Sequence, residues 1–292
     1  MFKYKSLLAA MTLVALIMIG CNENTTDVAD TAPSAPTGMM ATSLGADKIA
    51  VMWTSPTAGT FTSYKLQLTA TGVDTTFTVD KAVNAYELSG LTEGTIYKFS
   101  LKSVNGTAMS ATAATISWSP ASRFTTIGGN EIRLYETSAS KGSGLRLYNS
   151  TTKTPEVLSI SSGDNWDIGI FNRDLPDSLD TGSPGALNLT INKPRATLIG
   201  KIYNNVNSLD EIYEAADLTV LAAGAYTLPN VATGGIAFVV KTADGNFAKI
   251  LVKSNGGKIL QGTAPDRYVA VEFSYQMVAG VPHAGMNSSG VK

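Results

Sequence analysis

A predicted β-hairpin between residues 235 and 253 constrains the fold of this chain more than any other stretch. Two runs rich in apolar and β-branched residues, 236–242 and 247–253, flank the dipeptide Asp244-Gly245. This dipeptide favours a tight primed turn, because such a turn needs positive φ, which Gly adopts cheaply and Asp tolerates. On the return strand, residues 248, 250 and 252 are apolar, whereas the alternate positions mix two apolar residues with Lys249 and Lys253. The pattern predicts a sheet with one core face and one partly polar face.

The composition favours an all-β chain with two domains. The 292 residues are enough for about two domains that each bury a core. Charged residues make up only 15%, while Thr, Ser, Gly and Val are abundant, which suits strands and turns rather than long helices. The sequence has no basic run, so we expect no nucleic-acid partner.

Residues 1–20 are predicted to be a lipoprotein signal peptide. Lys3 and Lys5 precede an apolar run that ends at Ile19 and is followed by Gly20-Cys21. Cleavage before Cys21 would leave its thiol free to carry lipid, and two or three acyl chains anchor a protein far more firmly than one. An uncleaved anchor is disfavoured, because the run is short for a hydrocarbon core of roughly 30 Å. We therefore expect a protein anchored to the outer membrane through Cys21, on the cell surface or facing the periplasm, with residues 21–32 as a flexible tether.

Residues 33–126 are predicted to form a β-sandwich, because short strands recur between turn signals. Trp53 on the second strand, Tyr64 on the third and the segment Tyr97-x-Phe99 near the end of the unit resemble a fibronectin type III domain. The resemblance implies that Trp53 fills the centre of the sandwich and that the Tyr97 hydroxyl bonds to the main chain near Leu91. A domain of this kind mostly serves as a spacer or an adhesive surface, so any site on it must be shown separately.

Residues 130–280 are predicted to form a second, antiparallel β domain, which follows a linker at about residues 125–130. Only residues 209–216 have a helical pattern, with Ser208 as the N-cap and acidic residues in the first turn. Residues 281–292 are predicted to be a flexible tail.

Four segments of this second domain resemble the HmuY-like family, lipid-anchored haem-binding proteins of Bacteroidetes-type bacteria. They are the Trp166-Asp167 strand within residues 163–173, the Gly-rich stretch 182–186, the hairpin 238–250 and the closing strand 268–276. The resemblance covers roughly residues 130 to 277. It implies the fold of that family and capture of haem or another porphyrin. From the residues alone, we interpret Trp166 as a core residue and Asp167 as an acceptor of main-chain hydrogen bonds at a strand end.

The axial ligands of that family are missing from the expected segment. The resemblance places paired His, or in some relatives Met, between the Gly-rich stretch and the hairpin, but residues 187–235 contain neither. Tyrosine can bind ferric iron when its phenolate is stabilised. The candidate ligand residues are therefore Tyr203, Tyr213 and Tyr226. His283, Met277 and Met286 follow the closing strand, and a tail folded back onto the iron is the alternative.

Catalytic motifs are absent from the sequence, so we predict that the chain is not an enzyme. The single histidine, His283, lies in the predicted tail, and Cys21 is the single cysteine. There is no nucleophile elbow, zinc-protease motif or phosphate-binding loop. Asp174, Asp177 and Asp180 recur at every third position, but not with the spacing of a calcium loop. We interpret this run as a solvated acidic turn and predict no metal site.

Three functions follow as hypotheses. The first is a lipid-anchored, non-enzymatic surface protein in which the fibronectin-like spacer presents a domain that captures haem or another porphyrin, with an outer-membrane receptor as a candidate partner. The second is a surface adhesion or assembly module, and the third is a glycan-binding module. An apolar cleft near residues 203–226 would favour the first, a flat polar surface the second and a row of exposed aromatic side chains the third.

Overall fold

The computed structural model describes residues 31–160, 165–171, 178–187, 195–212 and 221–281. The described chain is all-β, as predicted, and its strands form two antiparallel sandwiches. Residues 1–30, which include Cys21 and all but the last two residues of the predicted tether, and residues 282–292 lie outside the described residues. Within the described ranges, no helix is both long and apolar enough to cross a membrane.

The first sandwich consists of eight strands in two sheets. The strands are β1 Thr37–Gly45, β2 Lys48–Thr54, β3 Ser63–Ala70, β4 Val73–Asp80, β5 Ala85–Leu88, β6 Tyr97–Asn105, β7 Ala108–Met109 and β8 Ala114–Trp118. One sheet has the order β1-β2-β5, and the other has the order β4-β3-β6-β7, with β8 also paired to β6. Met39 and Ala41 of β1 are buried in the core of this sandwich, and Trp53 lies on the second strand, as predicted.

The aromatic residues of the first sandwich lie where the sequence predicts them. Trp53 is buried and packs edge-on against Tyr64, with ring centroids 5.3 Å apart. The Tyr97 hydroxyl accepts a hydrogen bond from the main-chain N–H of Thr92 at 2.9 Å, one residue beyond Leu91. The predicted tyrosine corner is therefore confirmed.

The second sandwich contains the remaining strands. They are β9 Ser122–Phe124, β10 Thr126–Ile127, β11 Asn130–Tyr135, β12 Gly144–Asn149, β13 Thr154–Leu158, β14 Ile168–Phe171, β15 Ser178–Gly182, β16 Leu198–Val206, β17 Tyr226–Pro229, β18 Gly235–Lys241, β19 Phe247–Val252, β20 Leu260–Gln261 and β21 Tyr268–Tyr275. The larger sheet has the order β10-β11-β21-β19-β18-β16, with β9 and β20 also on β21. The smaller sheet has the order β13-β12-β14-β15-β17. One apolar core lies between them.

The predicted helix is a short 3-10 helix, Leu209–Glu211, and residues 213–216 of the prediction lie outside the described residues. The predicted N-cap is confirmed, because the Ser208 side chain accepts from the main-chain N–H of Asp210. The Ser208 side chain provides a hydrogen-bond acceptor for a free N–H group at the start of the helix. The two acidic residues of the first turn add negative charge beside the partial positive charge at that end.

The predicted hairpin is formed by β18 and β19, but its loop is longer than a two-residue turn. The main-chain N–H of Gly245 donates to the carbonyl of Thr242, and that of Thr242 donates to the carbonyl of Asn246. Gly245 has φ +83°, whereas Asp244 has no positive φ. This is the pattern of a three-residue loop, in which a turn is followed by a left-handed Gly that forms a bulge. The tight primed turn was therefore the wrong expectation.

Both faces of this hairpin are buried. Residues 248, 250 and 252 point into the core of the second sandwich, as predicted. On the opposite face, Val239 packs with the core of the first sandwich, and Phe247 packs with Ala121 and Leu221. The mixed face of the hairpin is thus the contact surface between the two sandwiches, which explains why it carries apolar residues.

A buried lysine lies at the centre of this contact. Lys249 is 0% exposed, and its Nζ lies 3.4 Å from Oγ1 of Thr42 in the first sandwich. The same ammonium donates to the carbonyls of Leu209 and Ile212, at 3.3 and 3.1 Å, around the 3-10 helix. A buried ammonium needs polar partners to replace the water that it loses. Lys249 therefore contacts oxygens of the first sandwich and of the 3-10 helix at the same time.

The boundary between the two sandwiches lies earlier than predicted. Strand β9 falls within the predicted range 33–126, but it pairs with β21 of the second sandwich. From β9, Arg123 donates to the carbonyl of Ser43 and forms an ion pair with Asp210. Gln276, which directly follows β21, donates to the carbonyl of Pro120 at 2.9 Å. The junction is therefore part of the packed structure.

Candidate functional site

The structure does not bring the predicted ligand tyrosines together. Tyr226 on β17 packs against the core of the second sandwich, and its hydroxyl lies 3.4 Å from the carbonyl of Ile199. Tyr203 on β16 packs against the contact between the two sandwiches. The two rings therefore lie on opposite sides of the larger sheet. Tyr213 lies outside the described residues.

The Trp166-Asp167 motif occupies a structural position, as the residues indicated. Trp166 is fully buried, and a Cβ added at Gly144 or Gly169 would lie 2.7 to 2.9 Å from its ring. Asp167 accepts from the main-chain N–H of Leu147 at 2.9 Å. The two glycines are therefore needed so that β12 and β14 can approach the indole closely.

Asp167 belongs to a polar cluster at the end of the hairpin. Its second carboxylate oxygen accepts from Nε of Arg195 at 2.8 Å, and Arg195 also pairs with Asp244 in the hairpin loop. Burial raises the pKa of the Asp167 carboxyl, and the Arg195 guanidinium opposes that rise. Burial and the charges of Asp167 and Asp244 raise the pKa of Tyr275 above its ordinary value. The cluster fastens the hairpin loop to the residue that directly precedes β14.

A metal-binding arrangement is not found among the described residues. No group of three or more His, Cys, Asp or Glu side chains lies close enough there to hold an ion. Asp180, the last member of the predicted acidic run, accepts from the Thr227 hydroxyl at 2.8 Å. Asp174 and Asp177 lie outside the described residues.

The candidate site is a groove at one edge of the second sandwich, which we call the edge groove. It runs along β11 between the β10–β11 hairpin and β13 and has a volume of about 490 Å³. Its lining residues are Ile127, Asn130, Glu131, Ile132, Arg133, Tyr135 and Val157. This volume lies within the range of roughly 300–1,000 Å³ that small-ligand sites occupy.

Local structure explains how the edge groove forms. Gly128 and Gly129, with φ of +57° and +81°, let the chain turn from β10 into β11. In β11, Ile132 and Leu134 are buried, whereas Glu131 and Arg133 face solvent. Strands β10 and β11 end the larger sheet, and β13 ends the smaller sheet. The groove is therefore the gap between two sheet edges that do not close on each other.

The polar groups of the edge groove are held in place and balanced in charge. Nε of Arg133 lies 3.0 Å from the Glu131 carboxylate, which raises the pKa of Arg133 above its ordinary value. The Arg133 guanidinium lies over the Tyr268 ring, 4.2 Å from its centroid. The rings of Tyr268 and Tyr135 are 5.6 Å apart, and Nζ of Lys141 lies over Tyr135. These contacts fix donors, acceptors and ring surfaces in one place.

Most main-chain N–H and carbonyl groups on the outer edge of β11 already form hydrogen bonds within the protein. Glu131 pairs with Thr126 of β10, and the N–H of Tyr135 donates to the carbonyl of Gly142 at 2.9 Å. Because main-chain groups alternate in direction along a strand, only Arg133 between them can offer its N–H and carbonyl to a ligand. The free main-chain groups of one residue are too few for another strand to pair with β11.

Sequence reasoning missed the edge groove. The sequence placed residues 131–136 only within the predicted second β domain. The available signal was the alternation of Glu131, Arg133 and Tyr135 with two buried residues, which places three polar or aromatic side chains on one exposed face. The same alternation is typical of any half-buried strand, so it could not single out this one.

The family comparison concerns the first sandwich. Residues 34–115 match the fibronectin type III domain family. No curated protein matches the chain. Among solved structures, the fn3 domain of human collagen alpha-1(XX) chain is 20% identical, with a TM-score of 0.30, and the match covers 35% of this chain and 99% of that one. The FN5 domain of Drosophila Lar is 20% identical over 30% of this chain and 98% of that one, with a TM-score of 0.26. Together with the two sheets and the tyrosine corner, the family match identifies the first sandwich as a fibronectin type III domain.

Proposed function

We propose that this chain is a non-enzymatic surface adhesion protein that binds an uncharged glycan in the edge groove. Fibronectin type III domains are common adhesion and binding modules, and one of them forms the first sandwich here. The proposal adopts the predicted lipid anchor at Cys21, which would hold the protein at the outer membrane. The observation that carries it is the fixed, charge-balanced set of side chains in the edge groove.

The charge balance favours an uncharged ligand. Arg133 and Glu131 form an ion pair at the groove, so neither charge is left to select an anion or a cation. Their remaining donor and acceptor positions, with those of Asn130 and Tyr135, suit the hydroxyl groups of a sugar. Tyr135 and the apolar residues Ile127 and Val157 offer carbon surface beside them.

The used main-chain edge disfavours a peptide ligand. A peptide that adds a strand needs a row of free N–H and carbonyl groups, and β11 offers those of Arg133 alone. A glycan needs no such row, because side chains supply its hydrogen bonds.

The test is a glycan array probed with the purified protein, followed by calorimetric titration of the best neutral oligosaccharide. We expect Tyr135→Ala and Arg133→Gln each to weaken binding by at least about tenfold, which corresponds to 1.4 kcal/mol. Lys48→Gln is the matched control, because Lys48 forms a similarly exposed ion pair with Glu87 on the first sandwich. Binding that no groove variant weakens, or the absence of any neutral ligand, would contradict the proposal.

Capture of haem or another porphyrin stays a prediction that depends on the HmuY-like resemblance. Because Tyr203 and Tyr226 lie on opposite sides of the larger sheet, the two cannot ligate one iron together. A haemin titration that follows the Soret band tests each tyrosine alone, with Tyr203→Phe, Tyr213→Phe and Tyr226→Phe. A saturable shift that one variant abolishes would make haem capture the better account.

A further inference from the structure

Two lysines lie directly opposite each other in the middle of an exposed sheet face of the fibronectin type III domain. Lys65 on β3 pairs with Lys102 on β6 in the register of the two central strands. Like charges at directly opposed positions of an antiparallel pair are destabilising, because their side chains start only about 5 Å apart. The pair therefore costs stability unless something negative binds there.

The acidic side chains of this face form their hydrogen bonds with other groups than the two lysines. Asp74 accepts from the Gln67 amide at 2.9 Å, and Asp80 accepts from the main-chain N–H of Ala82 at 2.8 Å. Over the part of the chain that the structure describes, neither Lys65 nor Lys102 forms an ion pair. A third lysine, Lys98, lies on the same face opposite Thr69.

Lys65 and Lys102 line a shallow cavity that is rich in hydrogen-bond donors. The cavity has a volume of about 190 Å³, and its lining residues are Lys65, Gln67, Ser100, Lys102 and Met109. Two ammonium groups, the Ser100 hydroxyl and the N–H of the Gln67 amide that Asp74 does not use can donate to one ligand, and the lining residues include no carboxylate. Such a set matches an oxyanion, whose several oxygens accept hydrogen bonds and whose charge the lysines balance.

We propose that this cavity binds a sulfate or phosphate group of an acidic polysaccharide. The surrounding face favours a polysaccharide over a lipid surface, because its neighbouring residues are mainly Ser, Thr and Lys. Met109, 42% exposed, is the large apolar side chain among the lining residues of the cavity. One such side chain offers too little apolar surface for insertion into a bilayer. This site lies on the first sandwich, apart from the edge groove, and does not depend on the glycan proposed there.

The experiment compares binding of dextran sulfate with binding of uncharged dextran to the purified protein. We expect dextran sulfate to bind and dextran not to bind at this site, with an affinity that falls steeply as sodium chloride is raised. The double variant Lys65→Gln/Lys102→Gln should lose at least about tenfold in affinity. Lys98→Gln is the control for each single change, since it removes one lysine charge from the same face as Lys65→Gln or Lys102→Gln alone, and it should change affinity by less than about threefold.

A second readout separates binding from folding. Relief of the repulsion should raise the melting temperature of Lys65→Gln in low salt, and dextran sulfate should raise the melting temperature of the unmodified protein but not of the double variant. An equal loss of affinity in Lys98→Gln would overturn the site, because it would show a nonspecific charge effect. Binding to phosphatidylglycerol vesicles that depends on Lys65 and Lys102 and exceeds binding to dextran sulfate would overturn the polysaccharide assignment.

Discussion

At the scale of single residues, Lys249 shows how a polar group stabilises the contact between two apolar surfaces. Its aliphatic stem lies in the hairpin face that meets the first sandwich, and its ammonium reaches Thr42 and two carbonyls around the 3-10 helix. These three oxygens belong to β1 or to the main chain around the 3-10 helix, so their positions are fixed. The ammonium can reach all of them only when the two sandwiches are packed in this one arrangement. A wrong placement would leave a buried cation uncompensated.

Replacement of Lys249 by Met should therefore destabilise the protein although the size of the side chain is nearly kept. We expect a loss of about 1–3 kcal/mol in the free energy of unfolding, because the carbonyls of Leu209 and Ile212 lose a donor in a buried place. Urea denaturation followed by circular dichroism measures it. The control is Lys253→Met, which removes a partly exposed partner of Glu272 and should cost less than about 1 kcal/mol. Equal losses in both variants would contradict this role of Lys249.

Tyr275 gives a prediction for alkaline pH. Its pKa is raised in the folded protein, so the unfolded chain, in which tyrosine ionises near pH 10, releases this proton first. The contribution to stability is complete below about pH 10 and is lost as the pH rises above that value. We expect Tyr275→Phe to lose less free energy of unfolding than the unmodified protein between pH 9 and pH 11.5. The same decline in both proteins would show that Tyr275 ionises equally in the folded and unfolded states.

At the scale of elements, the hairpin of β18 and β19 connects the core, the contact between the sandwiches and the polar cluster at the loop. One face belongs to the core of the second sandwich, and the other meets the fibronectin type III domain. The loop between the strands contributes Asp244 to the cluster with Arg195 and Asp167. The geometry of this loop therefore affects three parts of the structure.

Gly245 is the residue on which that geometry depends. A Cβ added there would meet only the Ala279 side chain, at 3.7 Å, so the cost of Gly245→Ala comes from φ +83° rather than from a clash. We expect a loss of about 1–2 kcal/mol in the free energy of unfolding. Gly245→Asn should cost clearly less, because Asn tolerates the left-handed region better. Thermal unfolding by calorimetry compares the two, and an equal cost would contradict a purely conformational effect.

The hairpin also shows what could be predicted from the sequence. Alternation along the strand predicted the core face, and the spacing of Trp53, Tyr64 and Tyr97 predicted the fibronectin type III domain, because both signals are local. The contact partner of the other hairpin face could not be predicted, since Thr42 and Lys249 are 207 residues apart in the chain. The edge groove was missed for a similar reason. It forms between the edges of two sheets, and no single segment contains it.

At the scale of the whole molecule, the two sandwiches form one packed unit. Apolar contacts around Val239 and Phe247 are joined by hydrogen bonds from Lys249, Arg123 and Gln276 to the fibronectin type III domain and its last residues. Strand β9 continues the larger sheet directly from that domain. The first sandwich is therefore more than a spacer, because it covers a face of the hairpin that would otherwise expose apolar residues to water.

This arrangement predicts that the edge groove and the lysine cavity are held at a fixed separation. If both proposed sites bind their ligands, a chain with neutral and acidic parts that is long enough to span them would meet two sites on one packed unit, which raises the effective concentration at the second site. We expect a partly sulfated polysaccharide to bind at least tenfold more tightly than either a neutral or a fully sulfated chain of the same length. Similar affinities for all three would show that the sites act separately.

The most direct test of the single packed unit is pulsed hydrogen exchange, read by mass spectrometry, across a series of guanidinium concentrations. Peptides from β2, β3 and β6 report on the fibronectin type III domain, and peptides from β12, β18 and β21 report on the second sandwich. If the contact through the hairpin joins them, both sets lose protection at one denaturant concentration. Loss of protection in one sandwich at a clearly lower concentration than in the other would contradict the account.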